Sequence, residues 1–246
     1  MVKTLNVFNK INGLRERYYK ASIGKEALIK LIAETEVAEQ VYNSNAIENS
    51  TITLEETEKI LLQIDLDRFI SEREIFEAKN LARVVEYIDK KAKEQELNLE
   101  TILLLHKILI SNIRDDVAGR FRKENEWVRV GSHIAVDPKE VIERLEKMFT
   151  EYNATSYENV IKRIAKLHLT FEHIHPFIDG NGRTARALTQ LFLYQNGFNT
   201  KKYFSLEEYY DTDLEHYYEA IFIGNDFYSE QKQTIDSTKF VEYFLA

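Results

Sequence analysis

Residues 175–186 read His-Pro-Phe-Ile-Asp-Gly-Asn-Gly-Arg-Thr-Ala-Arg and are the most informative stretch of this chain. Gly180 and Gly182 flank Asn181, just ahead of apolar residues that recur at helical spacing to about residue 196. Glycine permits tight turns in which backbone N–H groups converge, and a helix N-terminus presents unpaired donors with a favourable dipole. The stretch therefore predicts a phosphate-binding loop that leads directly into a helix.

Four side chains of this stretch would give such a loop its chemistry. Arg183 and Arg186 lie three residues apart, on nearby faces of the first helical turns, and each could form bidentate contacts with phosphate oxygens. Asp179 offers a hard oxygen ligand, and Mg²⁺ needs only one or two carboxylates when phosphates complete its coordination shell. His175 could accept a proton from an incoming hydroxyl, because an imidazole titrates near neutral pH.

Two other interpretations stay open on spacing alone. A glycine-rich turn before a helix is often only a turn, and an arginine in a first helical turn is unfavourable for the helix dipole. A zinc-like site is the second alternative, since histidine ligands often occur at short spacings. Its ligands would be His168, His173, His175 and Asp179. The zinc site, however, gives no role to the asparagine, the second glycine or the two arginines of the loop.

The composition indicates a mainly helical, cytoplasmic protein. The 246 residues include only 2 prolines and 8 glycines, and good helix formers are abundant. The absence of cysteine excludes disulfides and thiolate metal sites, and we expect neither a signal peptide nor a membrane-spanning helix. With 33 Lys and Arg against 41 Asp and Glu, the formal charge of -8 disfavours broad contact with nucleic acid or a membrane.

Hydrophobic periodicity and cap residues place the other elements. Thr53 and Glu56 have the spacing of a capping box, Pro138 stands where a helix begins, and Gly197 where one ends. Residues 126–135 combine β-branched and aromatic residues around a glycine, which predicts a small hairpin. The predicted helices cover about 25–43, 53–63, 71–94, 98–110, 138 onward, 160–171, 183–196, 206–223 and 235–245.

Residues 175–186 resemble the signature of the Fic family, H-x-F-x-(D/E)-G-N-G-R-x-x-R, at every fixed position. The resemblance covers about residues 40–245 and implies an all-α fold, a Fic-fold helical bundle with a small β-hairpin flap. It divides the chain into an N-terminal helical extension with an inhibitory helix, residues 1–65, and a Fic catalytic core, residues 66–246. Most family members transfer AMP from ATP to Ser, Thr or Tyr hydroxyls of target proteins, with Mg²⁺, or Mn²⁺ in its place, as cofactor.

The resemblance also implies a role for each residue of the loop. His175 would be the general base that activates the target hydroxyl. Phe177 would pack inward and fix the loop, and Asp179 would hold the metal bound to the α- and β-phosphates. The α-phosphate would be contacted by Gly180, Asn181 and Gly182, the β-phosphate by Arg183 and the γ-phosphate by Arg186.

Two further regions match the family pattern. The segment Val128, Arg129, Val130, Gly131 falls where the family has its flap, whose edge can pair with an extended segment of the target. An ordinary surface hairpin is the alternative. The adenine side of the nucleotide would be contacted by Tyr217, Tyr218 and Asn225. The alternative for the tyrosines, and for Tyr217 above all, is a place in the core.

Ser44-Asn45-Ala46-Ile47-Glu48-Asn49 resembles the Fic inhibitory motif, (S/T)-x-x-x-E-(G/N). The residues that carry this likeness are Ser44, Glu48 and Asn49. By resemblance, Glu48 would pair with Arg186 and occupy the place that the γ-phosphate needs. ATP would then bind with its α-phosphate misaligned for attack. The sequence thus predicts an adenylyltransferase that is autoinhibited from within the same chain.

The predicted partners are ATP and a target protein that presents a hydroxyl in an extended segment, with self-AMPylation as a variant. Nucleic acid and membranes are not expected, and apolar helix faces would allow a homodimer. Three alternatives remain. The enzyme could transfer another nucleotide or a phosphate-bearing group, it could act mainly as a de-AMPylase, or the chain could be a catalytically silent binding module.

Overall fold

The computed structural model describes residues 2–131, 133–155, 159–199, 204–222 and 237–246. Within these ranges the chain forms 11 α-helices and one two-stranded antiparallel sheet, and 67% of it is helical, which confirms the all-α prediction. The helices are α1 (Val2–Ser22), α2 (Glu26–Ala46), α3 (Leu54–Leu62), α4 (Glu72–Lys91), α5 (Leu99–Ile110), α6 (Val141–Ala154), α7 (Val160–Ile174), α8 (Asn181–Gln195), α9 (Leu206–Thr212), α10 (Leu214–Ile221) and α11 (Thr238–Phe244). The strands are β1 (Arg129–Val130) and β2 (His133–Ile134).

Side-chain caps explain where several helices begin. The Thr53 N–H donates to Glu56 Oε2 at 2.8 Å and the Glu56 N–H donates to Thr53 Oγ1 at 3.2 Å, so the predicted capping box is formed. Ser71 caps α4 and Asn98 caps α5 in the same way, each with its side-chain oxygen. The predicted first residues of α3, α4 and α5 therefore agree with the observed ones to within one residue.

The predicted helix over 206–223 is wrong in one respect, because the chain breaks at Asp213 into α9 and α10. Asp213 has φ −129° and ψ 41°, outside the helical region. The break brings the rings of Tyr210 and Tyr217 into a stack with centroids 4.3 Å apart. Seven residues of continuous helix would separate their Cα atoms by about 10 Å along the axis, so the stack requires the break.

Helix α8 lies at the centre of the molecule. Thirteen of its residues are buried, so it is covered on nearly every side. It packs against α7, α4 and α5, while α2 packs across α3, α4 and α9. The main apolar core includes Val41 and Ile60 together with Leu105 and Leu188, and so runs across residue 65. The predicted division into an extension and a core stays a prediction.

No helix within the described ranges is both long and apolar enough to cross a membrane.

We expect Thr53→Ala to lower the free energy of unfolding by about 1 kcal/mol, because it removes one half of the capping box. Urea unfolding followed by circular dichroism measures the loss. Thr150→Ala is the matched control, since Thr150 lies exposed inside α6 and its hydroxyl donates only to Glu146 O. That variant should stay within about 0.5 kcal/mol of the parent. Equal losses in the two variants would contradict the assignment.

Candidate active site

The loop between α7 and α8 is shaped by two residues with left-handed backbone. His175 ends α7 with φ 50° and ψ 62°, and its N–H still donates to Phe171 O at 3.0 Å. Gly180 precedes α8 with φ 77°. A Cβ on Gly180 would lie 2.6 Å from Ile110 Cδ1, so this position requires glycine both for its backbone and for its space. The turn leads directly into a helix, as the sequence predicts.

Phe177 and Asn181 hold the loop closed from inside. Phe177 is fully buried, which agrees with its predicted inward packing. Asn181 Oδ1 accepts from the Phe177 N–H at 2.9 Å, and Asn181 Nδ2 donates to Phe177 O at 3.0 Å. The Asn181 amide thus uses both of its polar atoms to clamp the loop, and its contact with an α-phosphate stays a prediction.

His106 on α5 supports the loop, and sequence analysis missed it. Its ring stacks on Phe177 with centroids 3.6 Å apart. Because Nδ1 accepts from the Gly119 N–H at 3.0 Å, Nε2 carries the proton and donates to Asp179 O at 3.0 Å. Burial lowers the pKa of His106 to about 4, which preserves this neutral tautomer at pH 7. The one available signal was a lone histidine within an apolar helix.

His175 is held as a neutral base. Arg122 Nε donates to His175 O at 2.9 Å and the Arg122 N–H donates to Pro176 O at 3.0 Å, which fixes the backbone. His175 Nδ1 lies 3.3 Å from Glu172 O; since a carbonyl can only accept, Nδ1 carries the proton and Nε2 keeps its lone pair. Burial lowers the pKa of His175 to about 4, so the ring is uncharged at pH 7 and able to accept a proton.

Four charged side chains form a closed ring, which we call the charge ring: Arg73, Glu77, Asp179 and Arg183. Arg73 Nη2 lies 2.8 Å from Asp179 Oδ2, and Arg73 Nε lies 3.0 Å from Glu77 Oε1. Arg183 closes the ring with Nη1 at 3.1 Å from Glu77 Oε1 and Nη2 at 3.4 Å from Asp179 Oδ1. Burial raises the pKa of Asp179, but Arg183 and Arg73 outweigh burial and lower it, so Asp179 is a carboxylate at neutral pH.

A cavity of about 400 Å³ opens beside the charge ring, where the loop, α4 and the end of α2 meet. Its charged lining consists of Glu48, Arg73, Glu74, Glu77, Asp179 and Arg183. Carboxylates and guanidiniums both line this cavity. It therefore suits a ligand that carries both negative and positive charge, such as a phosphate chain with a bound cation.

Arg186 is the most deeply held charge of the site, with a side chain that is only 2% exposed. Its Nη2 donates to Glu48 Oε1 at 2.8 Å and to Ser44 O at 2.9 Å, and its Nε donates to Ser44 Oγ at 2.9 Å. Burial raises the pKa of Glu48, but the positive charges of Arg186 and Arg183 together outweigh burial and lower the pKa overall. The structure therefore brings the predicted inhibitory residues to Arg186. Asn49 follows with φ 65°, a backbone that asparagine and glycine tolerate best.

The Glu48 carboxylate also lies against the N-terminal turn of α8. A Cβ added to Gly182 would stand 2.3 Å from Glu48 Oε1, so glycine leaves the space that the carboxylate occupies. A helix N-terminus attracts an anion, and Glu48 supplies one here.

The zinc-like alternative is not formed. His168 Nδ1 lies 2.8 Å from Thr189 Oγ1, and His173 Nε2 lies 2.7 Å from Ile221 O, so the two rings serve separate partners. Among the residues that the structure describes, no three His, Asp or Glu side chains stand close enough to hold a metal. The carboxylate of Asp179 lines the cavity at the loop, and one such hard ligand fits a Mg²⁺ or Mn²⁺ ion that arrives with phosphate oxygens.

The hairpin predicted over 126–135 is formed. Val130 pairs with His133 across β1 and β2, and the Ala135 N–H donates to Val128 O at 3.2 Å. His133 Nε2 lies 3.3 Å from His173 O, which seats the hairpin against the last turn of α7. The residues of β1 and Gly131 are exposed. Pairing of this edge with a target segment stays a prediction.

The two adjacent tyrosines lie in different environments. Tyr217 is 1% exposed, stacks on Tyr210 and places its hydroxyl 3.2 Å from His168 Nε2. It belongs to the core, as the alternative interpretation has it, and offers no ring face to a nucleotide. Tyr218 is 49% exposed and donates its hydroxyl to Ile47 O at 2.9 Å, next to Glu48. Asn225, the third predicted adenine contact, lies outside the described residues.

The fold and site define an all-α protein whose central helix begins at a glycine-flanked turn with two buried arginines. The model of the Fic/DOC family matches residues 96–193. Fic-1 of Caenorhabditis elegans, a curated protein adenylyltransferase, is 32% identical over 177 residues, which are 70% of this chain and 34% of that protein. The protein adenylyltransferase Fic of Drosophila ananassae is 28% identical over 205 residues, 76% of this chain and 40% of the relative. The chain therefore belongs to the Fic/DOC family, and it spans well under half the length of these relatives.

Solved structures agree on the fold. A Fic family protein from Desulfovibrio desulfuricans superposes with a TM-score of 0.78 at 23% identity, over 97% of this chain and 70% of that one. A Fic domain containing signaling protein from Bacteroides thetaiotaomicron superposes with a TM-score of 0.77 at 22% identity, over 95% of this chain and 90% of that one. The Fic-fold bundle with a small hairpin, predicted from the sequence, is thus confirmed.

We expect His175 to titrate far below an ordinary histidine, because burial disfavours the imidazolium. In NMR titrations of protein with labelled histidines, its midpoint should lie near pH 4. His216 is an internal control, since its hydrogen bond to Asp213 raises its pKa above 6.5. The His175→Ala variant assigns the signal. A His175 midpoint near 6.5 would contradict the buried neutral base.

Proposed function

We propose that this chain is a protein adenylyltransferase, which transfers AMP from ATP to a hydroxyl side chain of a protein. The observation that carries the proposal is the loop geometry. A neutral imidazole with a free Nε2 lone pair stands at one end of a turn, and a glycine-flanked helix N-terminus with two buried arginines stands at the other. The names of the curated relatives support the same activity.

In this mechanism the hydroxyl oxygen of the target attacks the α-phosphorus of ATP. The bond between the α-phosphorus and its bridging oxygen to the β-phosphate breaks, and pyrophosphate leaves. His175 Nε2 takes the proton of the hydroxyl. The N–H groups at the start of α8 and the guanidiniums of Arg183 and Arg186 stabilise the negative charge of the phosphates. Asp179 would hold Mg²⁺ or Mn²⁺, which neutralises phosphate charge when it is bound.

Glu48 makes the present arrangement an inhibited one. Its carboxylate holds the guanidinium of Arg186 and lies against Gly182, at the positions that an ATP phosphate would need. Two anions cannot share this place, so a triphosphate must displace Glu48 or bind with its phosphates shifted. A shift of about 1 Å at the reacting centre can lower a rate roughly a hundredfold.

The remaining expectations follow from the same site. The exposed edge of β1 would pair with an extended segment of the target and bring its hydroxyl towards His175. A hydroxyl of a second copy could reach the same place, which is the basis of self-AMPylation. Tyr218, half exposed beside Ile47, would lie on the adenine side. We place the protein in the cytoplasm on composition alone.

We expect Glu48→Gly to raise self-labelling by radiolabelled ATP strongly, up to about a hundredfold, because it frees Arg186 for phosphate. The label must come from α-labelled and not from γ-labelled ATP. Glu34→Gly is the matched control: it makes the same change on an exposed turn of α2, where Glu34 pairs only with Lys30. Its labelling should equal that of the parent.

We expect His175→Ala, added to Glu48→Gly, to abolish labelling while ATP binding persists, because the base is lost and the phosphate contacts remain. Calorimetric titration with a non-hydrolysable ATP analogue measures the binding. Unchanged labelling would point to a different base. Equal labelling from UTP, GTP and CTP would instead favour the transfer of another nucleotide.

A further inference from the structure

Two members of the charge ring, Arg73 and Glu77, lie on α4 and belong to neither the loop nor the inhibitory motif. Arg73 belongs to the first turn of α4, yet its Nη2 forms the shortest contact to Asp179, at 2.8 Å. Asp179 is the carboxylate that would hold the divalent cation. A guanidinium at this distance takes the coordination space of a metal on Oδ2, because a cation would bind the same oxygen at about 2 Å.

We propose that Arg73 stands in for the divalent cation at Asp179 in the nucleotide-free protein, so that Arg73 and the metal compete for one carboxylate. The inference rests on the proposed function, since that function brings the metal to Asp179. It assigns to α4 a part in the metal dependence of the reaction.

Arg73 is the member of the ring that can leave. Its side chain is 52% exposed, and it keeps a second partner, Glu77, one helical turn along α4. A guanidinium that moves off Asp179 therefore stays paired and hydrated. The side chain of Arg183, by contrast, is only 3% exposed. If it moved off Asp179, its buried guanidinium would lose a partner that water could not replace, so Arg183 must stay in place. The metal would thus displace Arg73 and keep Arg183 beside the phosphates.

The cavity next to the ring then contains two internal substitutes of opposite charge. Glu48 takes the place of a phosphate on Arg186, and Arg73 takes the place of the metal on Asp179. Both line the same cavity. Because a metal–ATP complex carries both charges, it could displace both substitutes together, whereas ATP without metal could displace only Glu48.

The test compares Mn²⁺ affinity in variants of the Glu48→Gly protein. Free Mn²⁺ is measured by electron paramagnetic resonance in the presence of α,β-methylene ATP. We expect Arg73→Gln to bind Mn²⁺ about three- to fivefold more tightly, since a half-exposed ion pair contributes little more than that factor. Thermal unfolding verifies that each variant is folded.

Arg114→Gln is the control for charge alone. Arg114 pairs with Asp116 at 2.9 Å, and its charge acts on Asp179 only from a distance. If loss of a nearby positive charge were the whole effect, Arg114→Gln and Arg73→Gln would tighten Mn²⁺ binding equally, and this result would overturn the proposal. Unchanged or weaker Mn²⁺ binding by Arg73→Gln would overturn it as well.

The outcome separates this inference from the proposed function. AMP labelling by Glu48→Gly tests the transfer reaction, and the Mn²⁺ titration tests Arg73 without turnover. If the Glu48→Gly protein is labelled but Arg73→Gln does not change its Mn²⁺ affinity, the role of Arg73 is refuted and the transfer reaction is not. A protein that binds Mn²⁺ more tightly in Arg73→Gln but never labels would support the competition and refute the transfer.

Discussion

The buried guanidinium of Arg186 is the constraint on which the arrangement of this site depends. A cation with a 2% exposed side chain needs an anion and further acceptors, since burial without them is costly. Ser44 and Glu48 supply both, and they do so from the end of α2. The end of α2 is therefore part of the candidate active site, although the loop itself lies between α7 and α8. An anion that binds Arg186 in place of Glu48 must compete with this contact from the end of α2.

Two uncharged side chains, those of His106 and Asn181, hold the inner side of the loop. His106 supports Phe177 by stacking and Asp179 by a hydrogen bond, while the Asn181 amide closes the turn on itself. These contacts survive a change in the charges of the cavity. The site thus combines an uncharged inner frame with charged side chains around the cavity, which is the preorganisation that the proposed nucleotide site would need before its ligand arrives.

Cap chemistry and periodicity are short-range properties, and they predicted the helices well. The box at Thr53, the glycine turn at 180 and the hairpin around 129–134 all depend on residues within a few positions of one another. The break at Asp213 escaped prediction because it depends on the stacking of two tyrosines within the core. The predicted N-terminal helical extension, residues 1–65, includes α1, but no separate helix was predicted over Val2–Ser22.

From the sequence alone it was possible to predict the family, the glycine loop and the residues proposed as base, metal carboxylate and phosphate-binding arginines, because these residues are contiguous and form one motif. The pair of Glu48 and Arg186, 138 positions apart, was predicted by resemblance to the inhibitory motif, and the structure forms it. The contact of Arg73 with Asp179, 106 positions apart, was not predicted, because it depends on how α4 packs beside the loop. The burial of Tyr217 in the core likewise depends on packing. The partners of Arg73 and Tyr217 are chosen by how helices pack, and no local pattern of residues encodes that choice.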